Sequence, residues 1–275
     1  MDNQQEKIVR TLLMRITQRP AIYFDVNVTE HCNLNCKYCG SFAPIADKEF
    51  LDIQEYRNDI TRLAEIAGGV CHHINILGGE PLLHPDICEI LKMTRDKFPI
   101  GNINLVTNGI LVKSMSQAFW DIMRDNRIYL CPTKYPVKVD YDWITEKAKK
   151  EEVVCYFFGD LQIYNTWTHI KMDLLGTRNE NHSFMHCPNA NNCCCLEHGK
   201  LYPCPRVAKI RHFNKKFNTN LPVTKQDYID IYEEVTLEDV MKFLCHSIPF
   251  CRFCNTFQIE NVEWGISKKD ESEWI

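Results

Sequence analysis

The chain reads as an α/β protein: a parallel sheet, open or curled into a partial barrel, followed by a smaller cysteine-rich region. Three observations carry this. Strand-like and helix-like segments alternate from residue 21 to about 176, with crossovers of helix length. The alternation then gives way to Asn, His, Cys and Pro without clear periodicity. The 15 cysteines are unevenly placed, with a tight group near the start and a crowd in the last third.

Residues 1–20 hold a short helix near Glu6–Thr17, with Ile8, Leu12 and Ile16 on one face. Ala21–Val28 is the first strand. Leu51–Ala67 follows as a helix, with Asp52 and Glu55 placed for a capping box before Tyr56, Ile60, Leu63 and Ala64. His73–Leu77 is the second strand, ended by Gly78 and Gly79. A helix then starts at Pro85, where proline suits the first turn, and runs to about Lys97. Asn102–Val106, the helix Ser114–Asp125, Arg127–Leu130 and the helix Tyr141–Lys150 continue the pattern. Val153–Phe158 is an unbroken apolar run, as a strand buried on both faces should be. A sixth strand is expected near His169–Leu174. The barrel region is therefore 21–176, the cysteine-rich region 177–266 and a solvated tail 267–275, with the helix at Leu237–Phe243 the one strong element after the boundary.

Composition excludes several classes. With 45% hydrophobic and 25% charged residues, the 275-residue chain has ordinary globular values. A net charge of −4 disfavours a nucleic-acid partner. No run approaches a membrane span, and the charged first twenty residues do not make a secretory signal. The expected location is the cytoplasm, where disulfides are rare and cysteines bind metal or do chemistry. Nothing resembles a P-loop, a dinucleotide-binding glycine motif or a nucleophile elbow.

Cys71, Cys88, Cys131 and Cys155 stand singly in or beside apolar runs and read as small buried hydrophobes. Cys32, Cys36 and Cys39 directly follow the first strand, at the sheet end where open α/β sheets place their chemistry. Three thiolates at this spacing suit one face of a four-iron cluster and leave one iron without a protein ligand. The alternative is zinc, with a fourth ligand such as His31.

The segment CNLNCKYC, with Gly78-Gly79-Glu80 after the second strand and Thr107-Asn108-Gly109 after the third, resembles the radical S-adenosylmethionine (SAM) superfamily. The resemblance implies a partial (β/α)6 TIM-like barrel. It implies a [4Fe-4S] cluster on Cys32, Cys36 and Cys39, with SAM chelating the open iron. SAM contacts fall on Gly78, Gly79 and Glu80, with Tyr38 beside the adenine and Thr107 and Asn108 near the ribose. Reductive cleavage of SAM would then give a 5′-deoxyadenosyl radical that takes hydrogen from a substrate carbon. An electron donor such as flavodoxin or ferredoxin is implied as a partner.

The stretch from Cys187 through HGKLYPC to Cys251-x-x-Cys254 is similar to the SPASM/twitch extensions of one branch of that superfamily. In that likeness Gly199 sits at a hairpin turn and Leu201 and Tyr202 start the return strand. Residues 255–275 contain no cysteine, which favours the shorter twitch form with one auxiliary [4Fe-4S] cluster on Cys187, Cys204, Cys251 and Cys254. Cys193 is the substitute ligand, and a four-cysteine zinc ribbon is the alternative. Cys193, Cys194, Cys195 and Cys245 are candidate hydrogen donors, or surplus thiols. Adjacent side chains of the run point to opposite faces if it is extended.

The activity implied is that of a radical SAM oxidoreductase on a sugar, an aminocyclitol or a similar small polar molecule, of dehydrogenase or epimerase type. A peptide-modifying maturase is the alternative; the few residues before the first strand leave no room for a leader-binding domain. A non-enzymatic zinc-binding regulatory protein is the alternative of another class. Candidate substrate contacts at the ends of later strands are Lys134, Tyr135, Tyr156, Asp160, His169, Lys171 and Asp173.

Overall fold

The structure, a computed structural model, describes residues 23–158 and 166–275; the expected helix near Glu6–Thr17 and the candidate Asp160 lie outside them. Strands β1 (Tyr23–Thr29), β2 (Val70–Gly78), β3 (Ile100–Thr107) and β4 (Ile128–Pro132) alternate with helices α1 (Ile53–Ala67), α2 (Ile87–Lys97), α3 (Gln117–Asp125) and α4 (Tyr141–Lys150). Each strand pairs in parallel with the next, as the alternation predicts. The fold is mixed α/β with a parallel sheet of the partial TIM-like kind. Asp52 caps α1 by accepting from the Gln54 and Glu55 amides. Glu55 does not return the bond of a capping box, because its carboxylate takes His198 Nδ1 at 2.5 Å instead.

The strands divide their side chains by alternation. Phe24, Val26 and Val28, with Ile74, Ile76, Ile103 and Leu105, pack on α1–α3 in one continuous core with Tyr56, Ile60, Leu63, Ile90, Leu91 and Trp120. The residues between them on the same strands, Asp25, Asn27, Asn75 and Asn104, are buried on the opposite face, toward the barrel lumen.

Beyond β4 the expectations need correcting. Residues 153–158 run beside β4, with Leu130 N donating to Val154 O and Tyr156 N to Leu130 O, but only one bridge forms. Val153 is buried while Val154, Tyr156 and Phe158 are exposed, so the run is a one-sided edge and not a doubly covered strand. The sixth strand exists as β5 (Thr166–Met172), yet it leaves the sheet and pairs antiparallel with β9 (Cys254–Glu263). The free edge of β1 is taken by β6 (Cys195–Glu197), which is parallel to β1 and continues through a hairpin to β7 (Lys200–Tyr202) and on to β8 (Ile229–Asp230). One sheet, ordered β4-β3-β2-β1-β6-β7-β8, thus crosses the expected boundary near Gly176. At the hairpin turn His198 and Gly199 have φ of 49° and 69°, the pair of left-handed residues a tight hairpin needs.

The last third is richer in structure than its sequence suggests. Besides α7 (Leu237–Leu244) it contains α5 (Glu180–His186) and the 13-residue α6 (Pro205–Phe217). Helix α6 escapes a periodicity search because Arg206, Lys209 and His212 are buried along with Val207, Ile210 and Phe213. A second core on the lumen side joins these apolar residues to Phe42, Met172, Tyr202, Phe250 and Trp274. Residues 267–275 are also not a solvated tail. Trp274 is fully buried and Glu273 nearly so; Met172 N donates to Trp274 O at 2.7 Å, and Ser267 N to Asn35 O at 2.9 Å.

Candidate functional site

The loop after β1 carries Cys32, Cys36 and Cys39. Asn35, Tyr38 and Phe42 all have positive φ, at 54°, 62° and 56°. Such backbone costs of order 1–3 kcal/mol per non-glycine residue and persists only where the surroundings enforce it. Here Phe42 is fully buried against Phe213 and Trp274, with ring centroids 5.7 and 5.8 Å away. Trp274 Nε1 donates to Cys39 O at 3.0 Å, which fixes the end of the loop.

Three N–H groups aim at the sulfurs. Leu34 N and Asn108 Nδ2 lie 3.4 and 3.6 Å from Cys32 Sγ, and Trp264 Nε1 lies 3.3 Å from Cys36 Sγ. Burial pushes the free thiols up, Cys32 to about 11 and Cys36 to about 12. Thiols that burial keeps protonated, yet that face N–H donors, suit a metal centre that would hold them as thiolates.

The Gly78-Gly79-Glu80 turn is stitched to this loop. Gly79 N donates to Thr29 O at 2.8 Å and Glu80 N to His31 O at 3.1 Å. A Cβ on Gly79 would overlap the His31 carbonyl and crowd Cys32 N, so only glycine permits this approach. The Glu80 carboxylate is wholly buried. It accepts from Thr107 Oγ1 at 2.6 Å, Leu82 N at 3.1 Å and Asn108 N at 2.9 Å. It therefore ties the end of β2 to the end of β3. Burial raises it to about 7 against these three hydrogen bonds. Tyr38 lies over His169, centroids 4.5 Å apart, and Asn108 Nδ2 also reaches Asn33 Oδ1 at 2.7 Å.

Cys187, Cys204, Cys251 and Cys254 come together to line one apolar space of about 320 Å³ with Ala190, Ile248 and Phe250. Cys187 ends α5, Cys204 precedes α6, Cys251 sits in a 3-10 turn and Cys254 starts β9. Cys193 is not among the lining residues. Among the described residues no group of three or more His, Cys, Asp or Glu is spaced for a single metal ion. The thiols surround a volume, which fits a multi-iron cluster better than one zinc at about 2.3 Å from each sulfur. Arg206, 7% exposed, adjoins this cavity; its charge acts on Cys187, Cys204 and Cys254, and it donates to Ile170 O at 2.8 Å.

The remaining candidates scatter. Cys194 belongs to the helix-side core and Cys195 to the lumen-side core, the opposition expected of an extended run. Cys193, Cys194 and Cys195 all feel the Asp25 carboxyl, whereas Cys245 caps α7. Tyr135 is near all three loop cysteines: burial first, then their charge and that of Glu80, holds its phenol well above the ordinary value. His169 is buried, which lowers it to about 4 with help from Arg206; its ring nitrogens make no hydrogen bond of full geometry. Lys134 lies 4.0 Å over the Phe157 ring, and Tyr156 is exposed beside Tyr129. Lys171 makes an exposed ion pair with Glu260, and Asp173 serves its own turn by accepting from Leu175 and Thr177 and pairing with Arg178. Sequence reasoning passed over Asp25, Asn27, Asn75 and Asn104. Their signal was present, as polar residues at every second position of three consecutive strands.

Residues 26–154 match the family profile described as the radical SAM superfamily. The chain is 33% identical over 101 residues to GTP 3′,8-cyclase of Tolumonas auensis, covering 36% of this chain and 29% of that protein. It is 30% identical over 136 residues to the probable GTP 3′,8-cyclase of Methanothermobacter marburgensis, covering 50% and 43%. The chain thus spans less than half the length of these curated relatives. Among solved structures, BtrN in complex with AdoMet and 2-DOIA superposes with a TM-score of 0.53 at 19% identity, over 86% of this chain and 94% of that one. Native anSMEcpe with bound AdoMet gives 0.51 at 15% identity, over 86% and 84%. Both likenesses concern the fold. No helix among the described residues is long and apolar enough to cross a membrane. With the loop, the glycine turn and the sheet in this arrangement, the non-enzymatic zinc alternative falls away: this chain carries a radical SAM domain over residues 26–154.

Proposed function

We propose that the chain is a radical SAM oxidoreductase for a small polar substrate, with Cys32, Cys36 and Cys39 holding a SAM-linked [4Fe-4S] cluster. Cys187, Cys204, Cys251 and Cys254 hold a second, auxiliary one. The observation that carries the reading is the single cavity lined by four cysteines from four separate elements. When bound, the first cluster and SAM supply a 5′-deoxyadenosyl radical that removes hydrogen from carbon, and the second accepts or relays an electron.

The chain's own residues have definable parts in this. Gly79 allows the turn to close on the cysteine loop, and Glu80 locks that turn to Thr107 and Asn108. Leu34, Asn108 and Trp264 offer N–H groups to sulfur, an interaction that tunes cluster potentials. Phe42 and Trp274, both fully buried, pack against each other at the end of the loop. An external one-electron reductant of the flavodoxin or ferredoxin kind is required.

The test is iron, acid-labile sulfide and zinc per chain after anaerobic reconstitution, with 5′-deoxyadenosine release from SAM. About eight irons with matching sulfide supports both clusters; about four irons with one zinc would sink the auxiliary electron acceptor. A second reading, conversion of GTP, is favoured by the name of the relatives that match between a third and a half of the chain. Incubating the reduced enzyme with GTP and SAM separates the two, since GTP-dependent SAM consumption would support only the second. For the first reading, solvent deuterium in the product marks an epimerase and its absence a dehydrogenase.

A further inference from the structure

The parallel pairing of β1 with β6 ends at Val26 and Leu196. Further along, the same edge of β1 is taken by residues 49–51. Leu51 N donates to Val28 O at 3.0 Å, Glu30 N donates to Glu49 O at 3.1 Å, and Thr29 bridges to Phe50. The two segments share one edge of β1, and a wedge of about 390 Å³ opens between them. Helix α1 contributes Tyr56 and Asp59 to its wall, and α6 contributes Arg211. No cysteine lines it, so it lies apart from both cysteine groups.

Two buried acceptors in this wedge have no donor. Asn27 is 5% exposed, and its Oδ1 takes no hydrogen bond, because its amide nitrogen is the end turned to Cys195 Sγ at 3.9 Å. Glu197 is 8% exposed, and its Oε1 has only Arg211 Nε at 3.6 Å and His198 Nε2 at 3.8 Å, both beyond hydrogen-bond reach. Lys209 Nζ stands 2.9 Å from the other oxygen. Native interiors rarely keep such acceptors without a ligand or water to serve them. Glu30, Glu49 and Asp59 bring three more carboxylates to the wall. Against these four stand Arg211 and, behind Glu30 and Glu197, Lys209, so negative charge is in excess. The wedge therefore suits a cation that also donates hydrogen bonds. A bare metal ion fits poorly, since among the described residues no three His, Cys, Asp or Glu side chains are grouped to hold one. The rest of the lining is apolar. Leu51, Tyr56 and Leu196 flank the depth, and Phe50, 46% exposed, stands at the mouth beside the half-exposed Glu49. His31 and His84 hold the Phe50 ring edge-on, with centroids 5.0 and 5.5 Å away.

We propose that the wedge between β6 and residues 49–51 is a second binding site, separate from the reaction centre, and that it takes a linear aliphatic diamine. One ammonium group enters the depth, where its hydrogens serve Asn27 Oδ1 and Glu197 Oε1. The methylene stem lies along Leu51, Leu196 and the Phe50 ring. The second ammonium group stays at the mouth, between Glu49 and the face of Phe50, where a cation gains from both charge and ring. A dianion would meet the same four carboxylates and is refused. The site does not depend on the oxidoreductase reading, because it uses none of the cysteines. Its occupant would sit against Glu30 and Phe50, which lead directly into the first cysteine loop through His31.

The test is isothermal titration of the reconstituted full chain with 1,4-diaminobutane, n-butylamine, succinate and potassium chloride, each at millimolar concentration. The diamine is expected to bind with one molecule per chain and to raise the melting temperature. Butylamine, which lacks the outer ammonium group, should bind more weakly, and succinate and potassium should give no binding heat. Glu197→Gln removes the inner charge with little change of shape and should weaken the diamine about tenfold. Phe50→Leu keeps an apolar stem contact but loses the ring, and should weaken it about threefold. Because Phe50 is half-exposed, this second variant decides the matter even where Glu197→Gln lowers the stability of the chain. The inference is overturned if the diamine does not bind the wild-type chain, if Phe50→Leu binds it unchanged, or if succinate or potassium binds as tightly. It is equally overturned if several diamines bind each chain with one weak affinity, the signature of a diffuse acidic surface.

Discussion

The two cysteine groups are built on opposite plans. The first lies in eight consecutive residues of one loop, with N–H donors from Leu34, Asn108 and Trp264 turned toward its sulfurs. The second is assembled from four places spread over residues 187–254 around an apolar space, with the buried Arg206 guanidinium beside it. A local site of this kind is defined by the chain path, and its environment is then adjusted by distant residues. A distributed site is defined by the fold itself and exists only once α5, α6 and β9 are packed. The two are also braced against each other. Glu30, just ahead of the first group, accepts from Lys209 Nζ at 2.5 Å and His212 Nε2 at 2.6 Å, both on the helix that follows Cys204. Lys209 makes a second ion pair, to Glu197 at 2.9 Å.

The sharpest way to break the comparison is to remove one cysteine from each group. Cys39→Ala should lose about four irons and all SAM cleavage while keeping the second cluster; Cys251→Ala should lose about four irons yet still cleave SAM. Iron analysis and 5′-deoxyadenosine release decide it, and Cys193→Ser should leave the iron content unchanged. Next in size is Gly79→Ala, whose methyl group displaces His31 and Cys32. At least a hundredfold loss of SAM cleavage is expected, with thermal stability lowered by about 1–3 kcal/mol. Smaller still is Arg206→Gln. Removing a buried cation next to four thiolates should move the second midpoint potential negative and leave the first in place, as read by EPR-monitored redox titration.

The smallest effect tests the brace. Burial alone would raise Glu30, but the His212 hydrogen bond and the Lys209 charge outweigh it and hold the carboxyl down at about 2, against an ordinary 4.5. A depressed carboxylate stabilises the fold above its unfolded value, so this contribution is intact above about pH 4.5 and is lost as pH falls toward 2. Urea midpoints measured across that window should fall more steeply for the wild-type chain than for Glu30→Gln.

What could be read in the sequence follows the same division. The strand–helix alternation predicted β1–β4 and their helices because these elements bury one regular apolar face each. Cys32, Cys36 and Cys39 were legible because their spacing is the site. The pairing of β6 with β1 was not, since three residues of a strand, Cys195–Glu197, carry no periodicity and their place is set by contacts more than 160 residues distant. Helix α6 was hidden by its ionic face, which makes sense only once Glu30 and Glu197 are known to meet it. The lumen residues were visible as alternating Asp and Asn. Without the register, however, nothing said that Asp25, Asn75 and Asn104 share one layer.

Trp264 and Trp274 contact the first cysteine loop across 228 and 235 residues of chain. During synthesis that loop emerges well before the groups that contact it, which follow more than 220 residues later. At about 5–20 residues per second, roughly 12–47 s pass between the exit of Cys39 and that of Trp274. For that interval three thiols stand without their lid. The order of synthesis thus opens a window for cluster delivery that closes when the turn carrying Trp274 docks.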